Sequence, residues 1–326
     1  MIALVMSGGV GLGAYHAGVY ESLSRHGIKP SWLVGSSIGG VTAALLAGSE
    51  PGEEIKVLQS FWQADFGTPV RNRSFSGHWL NWMSALEARV VGVPGHFRPR
   101  LTLPGRRFIS LYDLAPMRNR LESLVDFGRL NSGAYRISIA TTDIETGDLV
   151  VFDTARGDRI SLDHLLASCG FLPEFAPVQI GERLLGDGGL SANTPVEAVL
   201  RGPDLPDDLL CFLVDLYSRD GRRPDSIEAA FARRSDLLFG NQTWQRLESY
   251  QREAGSRLAG EGKRHHFLYL SYRAPSNEAG PEKIFDYSPR SVSQRWKAGA
   301  TDAEAAVAKV RQIESGATID SIRRSD

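Results

Sequence analysis

A serine stands at a sharp corner of the chain, where an apolar run ends and an alanine- and leucine-rich run begins. The corner reads Gly35-Ser36-Ser37-Ile38-Gly39, which matches the pattern G-x-S-x-G. Between a strand and a helix, this pattern exposes the hydroxyl of Ser37 beside the positive end of the helix dipole, which suits nucleophilic attack on a carbonyl carbon. A plain turn in which Ser37 caps the helix fits the same residues, so the motif alone leaves both interpretations open.

Glycines also dominate the turn after the first apolar run, which reads Ser7-Gly8-Gly9-Val10-Gly11-Leu12-Gly13. Such a loop directs several backbone N–H groups at one point, where they can hold a phosphate or an oxyanion. A dinucleotide-binding G-x-G-x-x-G pattern fits poorly. Val10 takes the place of its second glycine when the pattern starts at Gly8, and Ala14 takes the last when it starts at Gly9. The carboxyl ends of neighbouring parallel strands lie side by side, so we interpret the loop as an oxyanion hole for the serine turn.

A nucleophilic serine needs a base, and the chain offers two kinds of candidate. Asp187 precedes the glycines Gly188 and Gly189, where a tight turn could hold its carboxylate against a serine hydroxyl; an Asp-Gly hairpin turn is the alternative. The late histidines His265 and His266 would serve a Ser-His-Asp triad, but they precede a predicted strand instead of following one. We favour Asp187, and we expect burial among apolar neighbours to raise its pKa.

Four stretches, in this order, resemble the patatin-like phospholipase family from Met1 to about Leu200: SGGVGLGAYHAGV, GSSIG, ASCGFLPEFAPV and DGGLSANTP. The resemblance implies an α/β fold of three layers, α/β/α, with a mostly parallel central sheet. It also implies hydrolysis of fatty-acyl esters of lipids or phospholipids by a Ser-Asp dyad, without a cofactor.

Carried over to this chain, the resemblance makes Ser37 the nucleophile and Asp187 the base. Backbone N–H groups around Gly8, Gly9, Val10 and Gly11 would form the oxyanion hole, and the remaining motif glycines are Gly13, Gly35, Gly39, Gly188 and Gly189. Two residues depart from the family's usual loop, since Val10 stands where it has a third glycine and Leu12 where it has a basic residue. A hole built of backbone N–H groups tolerates Val10. Without the basic side chain, the loop lacks the attachment that this residue provides in the family, and the preference for substrates that carry a phosphate group is affected.

Composition narrows the classes of function. The 326 residues carry a formal net charge of −1, which gives no reason to expect a nucleic-acid partner. Cys169 and Cys211 lie far apart, which excludes a disulfide framework and fits a reducing compartment. The N-terminal apolar run is too short for a signal peptide, no run is long enough to span a membrane, and no cluster has metal-ligand spacing. We therefore expect a cytoplasmic protein without metal or cofactor; peripheral membrane attachment and oligomeric state stay open.

Strand and helix patterns alternate along the chain, with strands predicted at Ile2–Met6, 32–34, 135–142, Leu149–Asp153, 210–215 and 267–271. We expect a catalytic domain over residues 1–218 and a mainly helical extension over 219–326 packed on it. An insertion over about 67–107 mixes aromatic and basic residues, namely Phe75, Trp79, Trp82, Phe97, Arg98, Arg100, Arg106 and Arg107. It is either a lipid contact or, as we favour, an amphipathic helix packed on the core. We expect it to be more mobile than the sheet and to shield the serine turn.

Two further functions compete with lipid hydrolysis. A soluble carboxylesterase or thioesterase could use the same dyad on small acyl esters, and a non-catalytic lipid-binding protein could share the fold. The presence of both Ser37 and Asp187 argues against the second alternative. We interpret His16 and His164 as structural residues.

Overall fold

The computed structural model describes residues 1–63, 78–100, 109–200, 205–260, 263–275, 281–314 and 322–324. The strands in these ranges are β1 (Ile2–Met6), β2 (Trp32–Ser36), β3 (Arg98–Pro99), β4 (Tyr112–Asp113), β5 (Arg136–Asp143), β6 (Leu149–Asp153), β7 (Val178–Ile180), β8 (Arg183–Asp187), β9 (Asp208–Asp215), β10 (Arg264–Ser271) and β11 (Ile322–Arg324). The helices are α1 (Ala14–Arg25), α2 (Ile38–Ala47), α3 (Glu54–Trp62), α4 (His78–Val91), α5 (Ala115–Leu124), α6 (Phe127–Leu130), α7 (Leu162–Ser168), α8 (Gly189–Ala192), α9 (Glu197–Leu200), α10 (Ile227–Gly260) and α11 (Pro289–Glu314).

One mixed sheet forms the centre of the molecule, with the strand order β11-β10-β9-β1-β2-β5-β8-β7 and with β6 also paired to β5. The pairs from β11 across to β5 are parallel, whereas β6 and β8 pair antiparallel with β5 and β7 pairs antiparallel with β8. The mostly parallel α/β sheet predicted from the sequence is therefore confirmed. The turns that follow β1 and β2 lie side by side at one edge of this sheet.

The central strands are apolar because both of their faces are covered. On β1, Leu4 and Met6 belong to a core beneath α1, α2 and α11, whereas Ala3 and Val5 belong to a second core on the opposite face. Residues of α9 and α10 complete that second core. Helices thus cover both faces, which gives the three layers predicted from the sequence.

The C-terminal helix α11 packs along α1 with the two backbones in direct contact. A Cβ atom on Gly18 would lie 1.9 Å from the carbonyl oxygen of Trp296, and one on Gly299 would lie 2.1 Å from that of Tyr15. The hydroxyl of Tyr15 also donates to Asp302 at 2.5 Å. Because no side chain fits at either position, the contact between the two helices requires glycine at both.

The chain beyond residue 219 is mainly helical, as predicted, and it also supplies β10, which pairs in parallel with β9 over eight residues. The boundary between residues 218 and 219 stays a prediction. In the predicted insertion, Phe97 is buried against Tyr112, Phe175 and Phe285, which favours core packing at that position.

Parts of the predicted insertion lie outside the described residues. These parts include Phe75, Arg106 and Arg107, and the structure describes the helical backbone but not the side chains at Trp79 and Trp82. The expected mobility and shielding role of residues 67–107 therefore stay predictions.

Candidate active site

Ser37 occupies the turn between β2 and α2 with φ 54° and ψ −126°, a backbone conformation that residues other than glycine rarely adopt. The glycines on either side of this turn allow its backbone to pass close to neighbouring backbone atoms. A Cβ atom on Gly35 would lie 2.2 Å from the carbonyl carbon of Gly39, and one on Gly39 would lie 2.2 Å from the oxygen of Met6. The strand–turn–helix context that G-x-S-x-G predicts is present.

The hydroxyl of Ser37 makes no capping hydrogen bond to α2, so the interpretation as a simple helix cap loses its support. The backbone N–H of Ser37 donates instead to the hydroxyl of Ser168 at 2.8 Å. That hydroxyl donates in turn to the carbonyl oxygen of Ala140 at 2.7 Å. The corner is thus anchored to α7 and β5, and the side chain of Ser37 is left to face the cavity described below.

The register of β5 places Asp187 beside the serine corner. Ser36 pairs with Ala140 on one side of β5, and Asp187 pairs with Thr141 on the other. Asp187 is only 3% exposed; its Oδ1 accepts the N–H of Gly189 at 2.7 Å, and the hydroxyl of Ser37 lies close enough to its carboxyl group to lower the pKa of that group. The structure brings together the two residues that the sequence pattern indicates.

Burial raises the pKa of the Asp187 carboxyl from its ordinary value to about 7, although the neighbouring Ser37 hydroxyl and the hydrogen bond from Gly189 act in the opposite direction. Loss of hydration penalises the charged form, which is why the carboxylate becomes a stronger base. The sequence-based expectation of a raised pKa is confirmed. Near neutral pH, such a carboxylate is able both to accept and to return a proton.

The glycine-rich loop lies directly against the serine. A Cβ atom on Gly8 would lie 3.0 Å from the Cβ of Ser37. The N–H of Gly8 already donates to the carbonyl oxygen of Asn193 at 3.1 Å, so it is not available to an oxyanion. The N–H groups of Gly9, Val10 and Gly11 have no hydrogen-bond acceptor among the described residues, and the oxyanion hole itself stays a prediction.

Val10 has φ 52°, in the left-handed region that glycine occupies without cost. For a β-branched residue this conformation is a true outlier, and it persists only where the surrounding structure enforces it. The departure noted at Val10 therefore adds backbone strain to the loop.

A cavity of 310 Å³ opens onto the serine corner. Its apolar wall includes Met117, Phe171, Phe175, Leu238, Phe239 and Tyr287, while Ser37, Asp187, Gly9 and Val10 lie at its polar end. Arg89 and Arg234 line the cavity and are also exposed to solvent, so they lie at its rim. A mostly apolar cavity with a few polar groups at one end suits a ligand with a long apolar part.

Sequence reasoning missed several residues that build this site. Besides Ser168, these are Cys169, whose buried thiol lies against Ser37, and Asn193, whose side chain donates to the carbonyl oxygen of Gly8 at 3.3 Å. Burial and the nearby charge of Asp187 raise the pKa of the Cys169 thiol, which keeps it protonated. Both residues stand in stretches quoted above, but nothing in their spacing indicates these contacts.

Histidines do not contribute to the cavity in the part of the chain that the structure describes. His16 is buried, and loss of hydration lowers its pKa to about 3. His164 accepts the N–H of Ser161 at 3.0 Å and caps α7, whereas His265 bonds Tyr250 and Pro206 at the opening of β10. These positions do not support a Ser-His-Asp triad.

Two other kinds of feature are absent from the described ranges. No group of histidine, cysteine, aspartate and glutamate side chains there is arranged to hold a metal ion. None of the helices in the same ranges is both long enough and apolar enough to cross a membrane.

Comparison with known proteins places this site in a family. The model of the patatin-like phospholipase family matches residues 4–200, which include Ser37, Asp187 and the glycine-rich loop. The chain belongs to this family. Most of β9, together with α10, β10 and α11, lies beyond the part of the chain matched by the patatin-like phospholipase model.

Individual relatives of this chain are distant or match only in part. Triacylglycerol lipase SDP1L of Arabidopsis thaliana is 41% identical over 64 residues, which are 20% of this chain and 8% of the relative. VipD from Legionella pneumophila superposes with a TM-score of 0.45 at 14% identity, covering 94% of this chain and 66% of that one. A chain of the ExoU–SpcU complex of Pseudomonas aeruginosa superposes with a TM-score of 0.32 at 18% identity, covering 98% of this chain and 73% of that one.

Proposed function

We propose that this protein is a serine acyl hydrolase of patatin type, which cleaves fatty-acyl esters of lipids with Ser37 as nucleophile and Asp187 as base. The observation that carries the proposal is the buried Asp187 carboxylate beside the hydroxyl of Ser37, a serine on a strained strand-to-helix turn. Membership of the patatin-like phospholipase family supports an ester substrate. The shape of the cavity supports a substrate with a long apolar chain.

The reaction follows from the positions of these groups. The Ser37 oxygen attacks the ester carbonyl carbon while its proton passes to Asp187. The carbonyl oxygen becomes an oxyanion held by the N–H groups of Gly9, Val10 and Gly11, each donor of this kind being worth about 3 kcal/mol. Collapse of this intermediate breaks the ester bond, and Asp187 returns the proton to the leaving alcohol. Water then attacks the acyl-enzyme, with Asp187 again as base.

The rim of the cavity bears on phospholipase specificity. Arg89 and Arg234 are exposed there, and guanidinium groups bind phosphate in a bidentate manner. We propose a phospholipid as substrate, with the acyl chain in the apolar cavity and the phosphate at these arginines. A matched set with the same acyl chain, comprising a phosphatidylcholine, a triacylglycerol and a methyl ester, tests this order of preference. Faster hydrolysis of the methyl ester would favour a carboxylesterase.

Exposed apolar side chains lie on α4 and α10, the two helices that carry the rim arginines. Val90 and Val91 on α4 are 68% and 67% exposed, and Phe231 and Leu238 on α10 are 44% and 58% exposed. We propose that this rim contacts a membrane surface, since apolar side chains beside basic ones suit a lipid interface. Val90→Asp with Val91→Asp should reduce sedimentation with anionic vesicles and leave hydrolysis of a soluble short ester unchanged. Lys29→Asp, at the opposite edge of the sheet, changes the net charge by the same amount and serves as control.

Ser37→Ala tests the central proposal. We expect hydrolysis to fall at least about a thousand-fold, because no nucleophile remains. Labelling by a fluorophosphonate, in which the serine oxygen displaces fluoride from phosphorus, should disappear as well. Ser49→Ala is a matched control at the end of α2, since Ser49 is buried and its hydroxyl donates only to a backbone carbonyl. A wild-type chain that binds lipid vesicles but is neither labelled nor active would indicate a non-catalytic lipid-binding protein.

A further inference from the structure

Arg295 is a fully buried arginine in α11, outside the range matched by the family. One of its terminal nitrogens, Nη1, donates to the carbonyl oxygen of Gly11 at 3.0 Å and to that of Asp286 at 2.7 Å. The other, Nη2, donates to the carbonyl oxygen of Lys283 at 2.8 Å. A buried guanidinium is costly unless it is hydrogen-bonded, so these contacts fix its position.

The guanidinium ties the glycine-rich loop to one wall of the cavity. Nη1 bridges Gly11 in the loop and Asp286 in the segment over residues 283–287, which also supplies Ile284 and Tyr287 to the cavity. A Cβ atom on Gly11 would lie 2.8 Å from the oxygen of Ile284 and 3.2 Å from the ring of Tyr287. The loop is therefore pressed against this wall, and Arg295 holds the junction.

A line of hydrogen bonds leads from Arg295 to one of the three available N–H groups. Arg295 donates to the carbonyl of Gly11, and the N–H of the same peptide group belongs to Leu12. That N–H donates to the carbonyl of Gly9 at 3.0 Å, and the N–H of this second peptide group belongs to Val10. Hydrogen bonds in series polarise one another, so the positive charge of Arg295 strengthens the Val10 N–H as a donor.

We propose that Arg295 is a positioning residue of the oxyanion hole, which aligns and polarises the Val10 N–H through two peptide groups. This inference rests on the proposed hydrolase function. The segment over residues 7–14 contains no basic side chain, so α11 supplies the positive charge behind the loop. Because the effect acts on the oxyanion, it belongs to the transition state and not to substrate binding.

The test compares Arg295→Met and Arg295→Lys with Val307→Ala, a buried position in the same helix with no polar contact to the loop. We expect Arg295→Met to lower kcat about 10- to 100-fold with KM within about threefold of wild type. Affinity for an alkyl trifluoromethyl ketone, which accepts the Ser37 oxygen and forms an alkoxide in the hole, should fall by the same factor. The kcat and ketone affinity of Arg295→Lys should lie between those of Arg295→Met and the wild type, since an ammonium group keeps the charge but not the planar set of guanidinium donors.

Each result decides the inference. Val307→Ala should keep kcat and ketone affinity within about twofold of wild type, even when its Tm falls as far as that of Arg295→Met. Equal losses in Val307→Ala, or wild-type kcat in folded Arg295→Met, would overturn the positioning role. If Arg295→Met does not fold, wild-type kcat and ketone affinity in Arg295→Lys would overturn it instead. An active wild type that Ser37→Ala inactivates upholds the proposed function under either outcome.

Discussion

Two strand-to-helix turns meet at the site, and different parts of the chain hold them. The turn at Ser37 takes its shape from Gly35 and Gly39, which stand two residues away on either side. A short sequence pattern therefore contains most of what the turn needs. The position of this serine is predictable from the motif because the steric demand is local.

The glycine-rich loop is held mainly by residues that are remote in sequence. Gly8 bonds Asn193, a Cβ atom on Gly9 would lie 2.6 Å from the side chain of Leu216, and Gly11 accepts from Arg295. The glycines allow the loop to approach these groups, but they do not specify which groups are there. A short motif thus predicts the conformation of a turn, but it does not predict which remote residues contact and hold that turn.

The largest expected effect is that of Asp187→Asn. The amide cannot accept the proton of Ser37, so activity should fall about a thousand-fold, and combination with Ser37→Ala should cost little more because the two act as a unit. Steady-state rates on one ester measure both variants. His265→Ala, at the far edge of the sheet, is the control and should keep substantial activity; an inactive, folded His265→Ala beside an active Asp187→Asn would restore the triad.

The raised pKa of Asp187 also predicts two pH profiles. Activity needs the carboxylate and should rise through about pH 7. Stability should change in the opposite sense. Folding raises the pKa of Asp187, so its contribution to the free energy of unfolding is fully present below the unfolded pKa near 4. This contribution, on the order of 4 kcal/mol, is lost as the pH rises to about 7. Asp187→Asn should therefore raise the free energy of unfolding at pH 8 by about 1–3 kcal/mol, measured by urea titration at pH 5 and pH 8.

Gly39→Ala should break the local support of the serine turn. Its Cβ would lie 2.2 Å from the oxygen of Met6, and backbone atoms cannot yield as a flexible side chain does. We expect a loss of about 3 kcal/mol in the free energy of unfolding, together with loss of activity. Gly40→Ala is the matched control, because its Cβ would meet nothing closer than 3.4 Å. Similar stability of the two variants would show that the close contact relaxes.

Asn193→Ala should weaken the remote support of the loop while the fold persists. The variant loses the side-chain bond to the carbonyl of Gly8 but keeps the backbone bond to the Gly8 N–H. We expect kcat to fall about tenfold at nearly constant KM. Asn131→Ala removes a comparable amide that bonds Phe127 and Ile160 away from the site, and it should leave kcat unchanged. Equal effects in both would point to general loosening.

Val10→Gly should have the smallest effect. Glycine relieves the strain of φ 52°, which offsets the greater freedom of the unfolded chain, so stability should change by less than about 1 kcal/mol. The N–H stays in place, and kcat should remain within about threefold. Val10→Ala keeps a Cβ at the same φ and separates the backbone effect from side-chain packing. A large loss of kcat in Val10→Gly alone would mean that the side chain itself holds the hole open.

Much of the sheet was predictable because its strands are short apolar runs between turn residues. The predicted strands Ile2–Met6 and Leu149–Asp153 coincide with β1 and β6. The raised pKa of Asp187 was predictable from its apolar neighbours. The placement of Arg295 was not, because it lies 284 positions along the chain from Gly11 and no local pattern reports such a contact.

The backbone contact between α1 and α11 joins the beginning of the chain to its end. During synthesis β1, β2 and α1 are made long before α11, so the face of α1 that holds Gly18 lacks this partner until α11 has been made. Contacts of such high sequence separation raise the contact order and slow folding. Helix α11 is thus translated long after α1, the helix whose packing it completes.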